Sequence, residues 1–233
     1  MTDPRTIWRG FRLAITALSL SAAVVAGCSA SASAESATGS AAPGVGLLFD
    51  AHQLDGLADG TALHYAHARE VAPGSPAPAV EDGALRLALG ASESEVTLVE
   101  GTRTRRLDPF PRASGNPVFI VFLESMLRAV AAQTGGSPFY LRNRIKEALW
   151  KGAVATPVSV RLGDAEVAAE RLSYQPFAAD SHKAELGELA GLTIEFVLAE
   201  GAPGRFVSLT AATPDGGATP FREEIRLIGE TLE

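Results

Sequence analysis

Asn116-Pro117-Val118-Phe119-Ile120-Val121-Phe122-Leu123 opens the segment in which the hydrophobic period of this chain changes. Asparagine followed by proline is a helix start: a capping residue, then a residue whose ring fixes φ and whose missing N–H costs nothing in the first turn. The run from Val118 to Gln133 is apolar nearly all round at its beginning, so the predicted helix is largely enclosed rather than half-solvated. Gly135-Gly136 ends it, and Ser137-Pro138 repeats the start signal. A second helix is expected to about Lys151 and stops at Gly152. Leu141, Ile145, Ala148 and Leu149 form its apolar stripe, while Arg142, Arg144, Lys146 and Glu147 face elsewhere. Two helices joined by Gly-Gly-Ser-Pro read as a helical hairpin or an angled pair.

On both sides of this pair the period is two. Thr61 to Val71 follows the turn signal Asp59-Gly60, and Leu85, Leu87 and Leu89 alternate as in a half-buried strand. Glu95 to Val99 and Thr102 to Leu107 flank Glu100-Gly101 as a hairpin, and the polar second arm suits a sheet edge. After the helices, Val158, Val160 and Leu162 alternate, and Gly163-Asp164 turns into Glu166 to Tyr174. Leu192 to Leu198 and Arg205 to Ala211 surround Glu200-Gly201-Ala202-Pro203-Gly204, and Phe221 to Ile228 closes the series. Strands, two helices, strands, with tight hairpin spacing, predict an α+β fold: a curved antiparallel sheet of about eight or nine strands packed on a two-helix hairpin. The layout resembles the half-barrels of bacterial lipoprotein carriers and receptors. Leu57-Ala58-Asp59-Gly60-Thr61-Ala62-Leu63-His64-Tyr65 and the segment from Gly115 to Arg144 resemble uncharacterised exported proteins of proteobacteria.

The N-terminus has its own pattern. Arg5, Arg9 and Arg12 precede an uncharged apolar stretch, Leu13 to Val25. As a helix that stretch is about 20 Å long, short of the ~30 Å hydrocarbon core. A basic start, a short apolar middle and small residues at the end form an export signal. It leads into Val25-Ala26-Gly27-Cys28, which contains the chain's one cysteine and resembles the lipobox of bacterial lipoproteins. The resemblance implies lipidation of the Cys28 thiol and cleavage between Gly27 and Cys28. With Ser29 rather than aspartate after the cysteine, it implies the periplasmic face of the outer membrane over the inner membrane. One acyl chain anchors only marginally, at ~0.8 kcal/mol per buried methylene, whereas two or three hold firmly. Residues 28–46, nearly all Ser, Ala and Gly, are expected as a flexible tether, leaving residues 47–233 as a single domain.

The chain has 20 basic and 27 acidic residues, and removing Arg5, Arg9, Arg12 and Asp3 with the signal leaves the remainder more acidic still. No nucleic-acid partner is expected of such a chain. With Cys28 acylated no thiol remains, so the domain must rest on an apolar core rather than on disulfides.

Asp50, His52, Asp55, Asp59, His64 and His67 form the densest polar cluster. On a strand His64 and His67 point to opposite faces, so solvated turn residues are a better reading than a metal site. Ser114 and Ser137 read as turn and cap residues, and no G-x-S-x-G elbow is present. Asp180 and His182 are neighbours in the polar stretch Asp180-Ser181-His182-Lys183 and poorly placed for a base and its partner. No catalytic residues, cofactor or metal are therefore expected. The basic residues Arg103, Arg105 and Arg106, with Arg112 and with Arg142, Arg144 and Lys146, stand out in an acidic chain. Arg103, Arg105, Arg106, Arg142 and Arg144 are the candidate binding patch, for headgroups, anionic glycans or an acidic partner. The expectation is a membrane-anchored, non-catalytic envelope lipoprotein that binds an apolar ligand or a protein partner. The alternatives are a small envelope hydrolase using a carboxylate or histidine, and a structural lipoprotein of a larger complex.

Overall fold

The computed structural model describes residues 44–217 and 220–232. Gly27 and Cys28, and the expected signal and most of the expected tether, lie outside these residues. A short helix, α1 (Val45–Leu48), is followed by strands β1 (Thr61–Val71), β2 (Val80–Leu89), β3 (Glu93–Glu100), β4 (Arg103–Arg106) and β5 (Phe110–Pro111). Helices α2 (Val118–Thr134) and α3 (Pro138–Lys151) come next, then β6 (Val154–Leu162), β7 (Ala165–Tyr174), the single turn α4 (Lys183–Leu186), β8 (Thr193–Leu198), β9 (Phe206–Ala212) and β10 (Phe221–Leu232). The class is α+β, as the sequence predicts.

The strands form one open antiparallel sheet of ten, in the order β4-β3-β2-β1-β10-β9-β8-β7-β6, with β5 added beside β3. The chain therefore starts at the middle, steps outward to β4, and reappears at the opposite edge as β6. It then steps back until β10 pairs with β1, from Thr61 opposite Leu232 to Val71 opposite Phe221. Eight spacings of ~4.8 Å separate the edges by about 38 Å. The helices α2 and α3, about 25 and 21 Å long at ~1.5 Å per residue, fill the crossover. That is why an enclosed helix sits between two strand series in the sequence.

One face of the sheet is apolar. Leu63 and Tyr65 of β1, Leu85 and Leu87 of β2, Val96 and Leu98 of β3, Phe196 of β8, Phe206 and Leu209 of β9, and Ile225 of β10 are buried. Phe119 of α2 meets Phe196 edge-on at 5.3 Å and stacks on Phe206 at 6.0 Å, while Phe122 meets Phe196 at 6.0 Å. Such ring contacts contribute beyond the area they bury. The other face carries His64, Arg86, Thr97, Glu195, Thr210 and Arg226 and is partly or fully solvated.

Several expectations are corrected in detail. Val45 is buried, so Val45 and Gly46 belong to the folded unit rather than to the tether; Val45 is the first large apolar side chain after the Ser/Ala/Gly run. The sheet has ten strands because Phe110–Pro111 adds a short one, too brief to show a period. Val158, Val160 and Leu162 do alternate, yet their register with β7 sets them opposite to the buried Leu172 and Tyr174. The β6–β7 hairpin thus turns its apolar side away from the α2 face.

Helix α2 begins at Val118 with Pro117 at the cap position. Asn116, one residue earlier, still does a cap's work: its Oδ1 accepts the Val118 N–H at 3.0 Å. Its Nδ2 donates to Gly204 O at 2.9 Å and to Tyr65 Oη at 3.2 Å, and its own N–H reaches Gln53 Oε1 at 3.0 Å. One buried asparagine thus ties α2, β1, the β8–β9 loop and the segment after α1 together.

Candidate binding site

Polar side chains enter the apolar face along one seam. The period of β1 turns His67 and Arg69 inward with Leu63 and Tyr65, and the register sets Arg69 directly opposite Glu223 of β10. Glu223 is fully buried and His67 is 2% exposed. Glu223 accepts from Arg69 Nε at 2.8 Å, from Arg69 Nη2 at 2.9 Å and from His67 Nε2 at 3.0 Å. Burial pushes the Glu223 carboxyl up, but the hydrogen bonds from His67 and Arg69 and the electrostatic attraction of those side chains outweigh it and hold the group below the usual carboxylate range. Arg69 also donates to Pro78 O at 3.1 Å and to Ser125 Oγ of α2 at 2.5 Å, so one guanidinium links β1, β10 and the helix. His67 Nδ1 is buried without a hydrogen-bond partner and lies 3.7 Å from Glu100 Oε1.

From Glu100 the seam runs outward to a group of arginines. On α2, Glu124 and Arg128 lie four apart, on one side of an otherwise apolar helix. Glu124 is gripped by the fork of Arg142 from α3, whose Nη2 donates to both carboxylate oxygens at 2.9 and 3.1 Å. Arg105 of β4 pairs with the buried Leu98 in register and so stands on the helix-facing side, as does Arg103, opposite Glu100. Arg128 lies between these elements, half-buried. Its Nε is buried and has no hydrogen-bond partner, and among the described residues no carboxylate forms an ion pair with it. Burial first, then repulsion from Arg105 and Arg142, pulls its guanidinium below the ordinary arginine value, against the attraction of Glu124 and Glu100. Guanidinium groups from two further elements thus lie within electrostatic reach of Arg128, and Glu124, one of the two nearby carboxylates, is already held bidentately. The arrangement can take up a further carboxylate, sulfate or phosphate oxygen.

The five arginines of the expected patch are divided. Arg103 and Arg105 line the seam, and Arg142 reaches it through Glu124 and Arg128. Arg106 points to the opposite face and pairs with Glu95. Arg144 pairs with Glu147 at 2.5 Å and lies 5.8 Å from the Tyr140 ring centre. Arg112 is a structural clamp: it donates to Asp59 at 2.6 Å, to Gly90 O at 2.9 Å and to Leu57 O. Arg128, central to the seam, is not among the expected residues. Its signal was a Glu–Arg pair at helical spacing inside an apolar run that the fold must enclose.

The histidine and aspartate cluster is dispersed. His52 bonds Asp55 at 2.7 Å, Asp50 pairs with Arg205 at 3.1 Å, and His64 meets Thr231 at 3.0 Å on the face opposite His67. Among the described residues no three His, Cys, Asp or Glu side chains come together as a metal set. Ser114 closes its own turn by donating to Pro111 O at 2.6 Å. Asp180 and His182 do meet: Asp180 Oδ1 accepts the His182 N–H at 2.8 Å and the Tyr140 hydroxyl at 2.6 Å, with His182 Nδ1 3.0 Å from that hydroxyl. This arrangement pins the loop before α4 to α3.

No protein-family model matches the chain, and no curated protein matches its sequence.

Proposed function

We propose that this chain is an exported envelope lipoprotein, acylated on Cys28 after cleavage at Gly27, whose α+β domain is a non-catalytic binding module for an acidic protein partner. Its sheet curves around the α2–α3 hairpin, and the partner's carboxylates dock in the arginine seam of Arg103, Arg105, Arg128 and Arg142. The observation that carries this is Arg128: a half-buried guanidinium with no ion-pair partner among the described residues, repelled by two others, in a chain whose net charge is −7. An unpaired buried charge is costly, so a carboxylate arriving there relieves repulsion as well as forming bonds. The partner reading is preferred to an apolar cargo because rings of Phe119, Phe122, Phe196 and Phe206 occupy the space between α2 and the sheet. Anchoring through two or more acyl chains holds the module at the membrane, with the periplasmic face of the outer membrane favoured by Ser29.

A photo-crosslinking amino acid at the exposed position 103 of the full chain, activated in intact cells, tests this. Adducts that map to an acidic segment of another envelope protein, and that fall at least tenfold in Arg128→Met, are expected. Adducts unchanged by Arg128→Met, or none on any protein, would overturn the proposal.

A further inference from the structure

Helix α3 has an ordinary inner side and an unusual outer one. Leu141, Ile145 and Leu149 face the core, as an amphipathic helix requires. The opposite side should be polar, yet it carries Phe139 at 75% and Trp150 at 52% exposure. Eleven residues are close to three full turns, so these two rings lie on one line about 16 Å apart, with Asn143 and Lys146 exposed between them. Trp150 stacks on Phe49 at 6.2 Å and 11°, and Phe49 is itself partly exposed, with Leu47 beside it in the chain. The helix is also cationic. Arg142, Arg144, Lys146 and Lys151 stand against the single carboxylate Glu147, which Arg144 and Lys151 already engage. Rings and lysines on the exposed side of a helix suit the boundary between headgroups and acyl chains, where an amphipathic ring finds both environments and an ammonium finds anionic phosphate.

The described chain begins at Gly44, five residues before Phe49. Whatever precedes Gly44 therefore joins the domain beside this aromatic group. If residues 28–43 tether the domain to an acylated Cys28, a chain of that composition has a reach of only about 20 Å, and the face nearest the tether stays close to the bilayer.

We infer that the outer side of α3, with Leu47 and Phe49, docks on an anionic bilayer surface and fixes how the tethered domain stands on its membrane. This rests on the reading of Cys28 as a lipid anchor. In the docked state Phe139 and Trp150 enter the interface and Lys146 and Lys151 meet lipid phosphates, while the arginine seam belongs to the inner side of the same helix through Arg142.

The chain has two tryptophans, Trp8 and Trp150; cleavage at Gly27 removes Trp8, and Trp8→Phe keeps Trp150 the sole reporter in any uncleaved protein. Protein produced from the whole sequence and purified from membranes is weighed intact for acyl mass. It is then reconstituted in vesicles of phosphatidylglycerol and phosphatidylcholine, the latter brominated near the glycerol end of its chains. Docking predicts a blue-shifted Trp150 emission, strong quenching by the brominated lipid and loss of iodide access. Phe139→Ser and Lys146→Gln should each weaken the quenching, with Lys146→Gln lowering the docked-to-free ratio roughly fivefold at low salt. Acylated protein whose Trp150 stays open to iodide and unquenched by lipid overturns the docking while leaving the anchor intact. Protein without acyl mass refutes the anchor and the docking with it. Emission that shifts with protein concentration but ignores brominated lipid assigns the face to a second copy, and also overturns the inference.

Discussion

Replacing Glu223 with glutamine should destabilise the protein by about 3–5 kcal/mol, the usual cost of removing one partner from a buried ion pair. The substitution keeps the size and shape of the side chain. It also replaces one carboxylate oxygen with an amide that cannot accept the hydrogen bonds from Arg69 and His67, and it leaves the Arg69 guanidinium, 5% exposed, without its counter-charge. Urea unfolding followed by circular dichroism measures the loss. The pH dependence gives a second reading with a fixed sign. The folded Glu223 carboxyl lies below its unfolded value, so its stabilisation is complete above the unfolded carboxylate range, near ~4.3. It is lost as the pH falls through the lower folded value. The difference between native protein and Glu223→Gln should therefore be full at neutral pH and shrink in acid. Replacing both partners, as in Arg69→Met with Glu223→Leu, should recover much of the loss, because a packed apolar pair carries no desolvation cost. A loss under about 1 kcal/mol at neutral pH, or one that grows in acid, would refute the buried-pair account.

Gly204 has φ +70°, and a Cβ there would lie 2.7 Å from both Asn116 Nδ2 and Leu63 Cδ1; Gly204→Ala should cost roughly 2 kcal/mol or more in unfolding free energy. Asn116→Ala leaves the Val118 N–H and Gly204 O without their side-chain partner and should cost about 2–3 kcal/mol by the same assay. Arg128→Met should leave the urea midpoint unchanged or raise it, since it removes a repelled charge, while abolishing capture of the acidic partner. Arg106→Gln breaks only an exposed pair on the other face and should change stability by less than about 1 kcal/mol and partner capture not at all. Tyr140→Phe removes the hydroxyl that holds Asp180 and should speed amide exchange in the loop before α4 without changing exchange in the central strands.

The fold was legible wherever period and turn signals coincided. β1 begins at Thr61 directly after Asp59-Gly60, and α2 and α3 stop at Gly135 and Gly152, both with positive φ. The polar arm from Thr102 to Leu107 suits an edge, and β4 is one of the two edge strands. The strand order was not legible, because the pairing of β1 with β10 joins residues as far apart as Thr61 and Leu232 and leaves no local trace. The seam was half legible. Arg103, Arg105 and Arg142 stood out as basic residues in an acidic chain, yet which side each takes depends on strand register. Register is why Arg105 takes the helix-facing side and repels Arg128 while its neighbour Arg106 pairs with Glu95 on the other face. Glu223 shares its parity with Phe221, Ile225 and Leu227 in the sequence, but nothing local says that Arg69 lies opposite it. Their meeting follows from the register of β1 with β10, which only the assembled sheet fixes.

Intact mass spectrometry of protein extracted from membranes tests whether this domain is held there through Cys28. The expected result is a chain that begins at Cys28 and carries the mass of a diacylglyceryl group, with or without a further acyl chain on its amino group, and a Cys28→Ala protein that carries neither. A chain that keeps residues 1–27, or one that begins elsewhere with Cys28 unmodified, would contradict it.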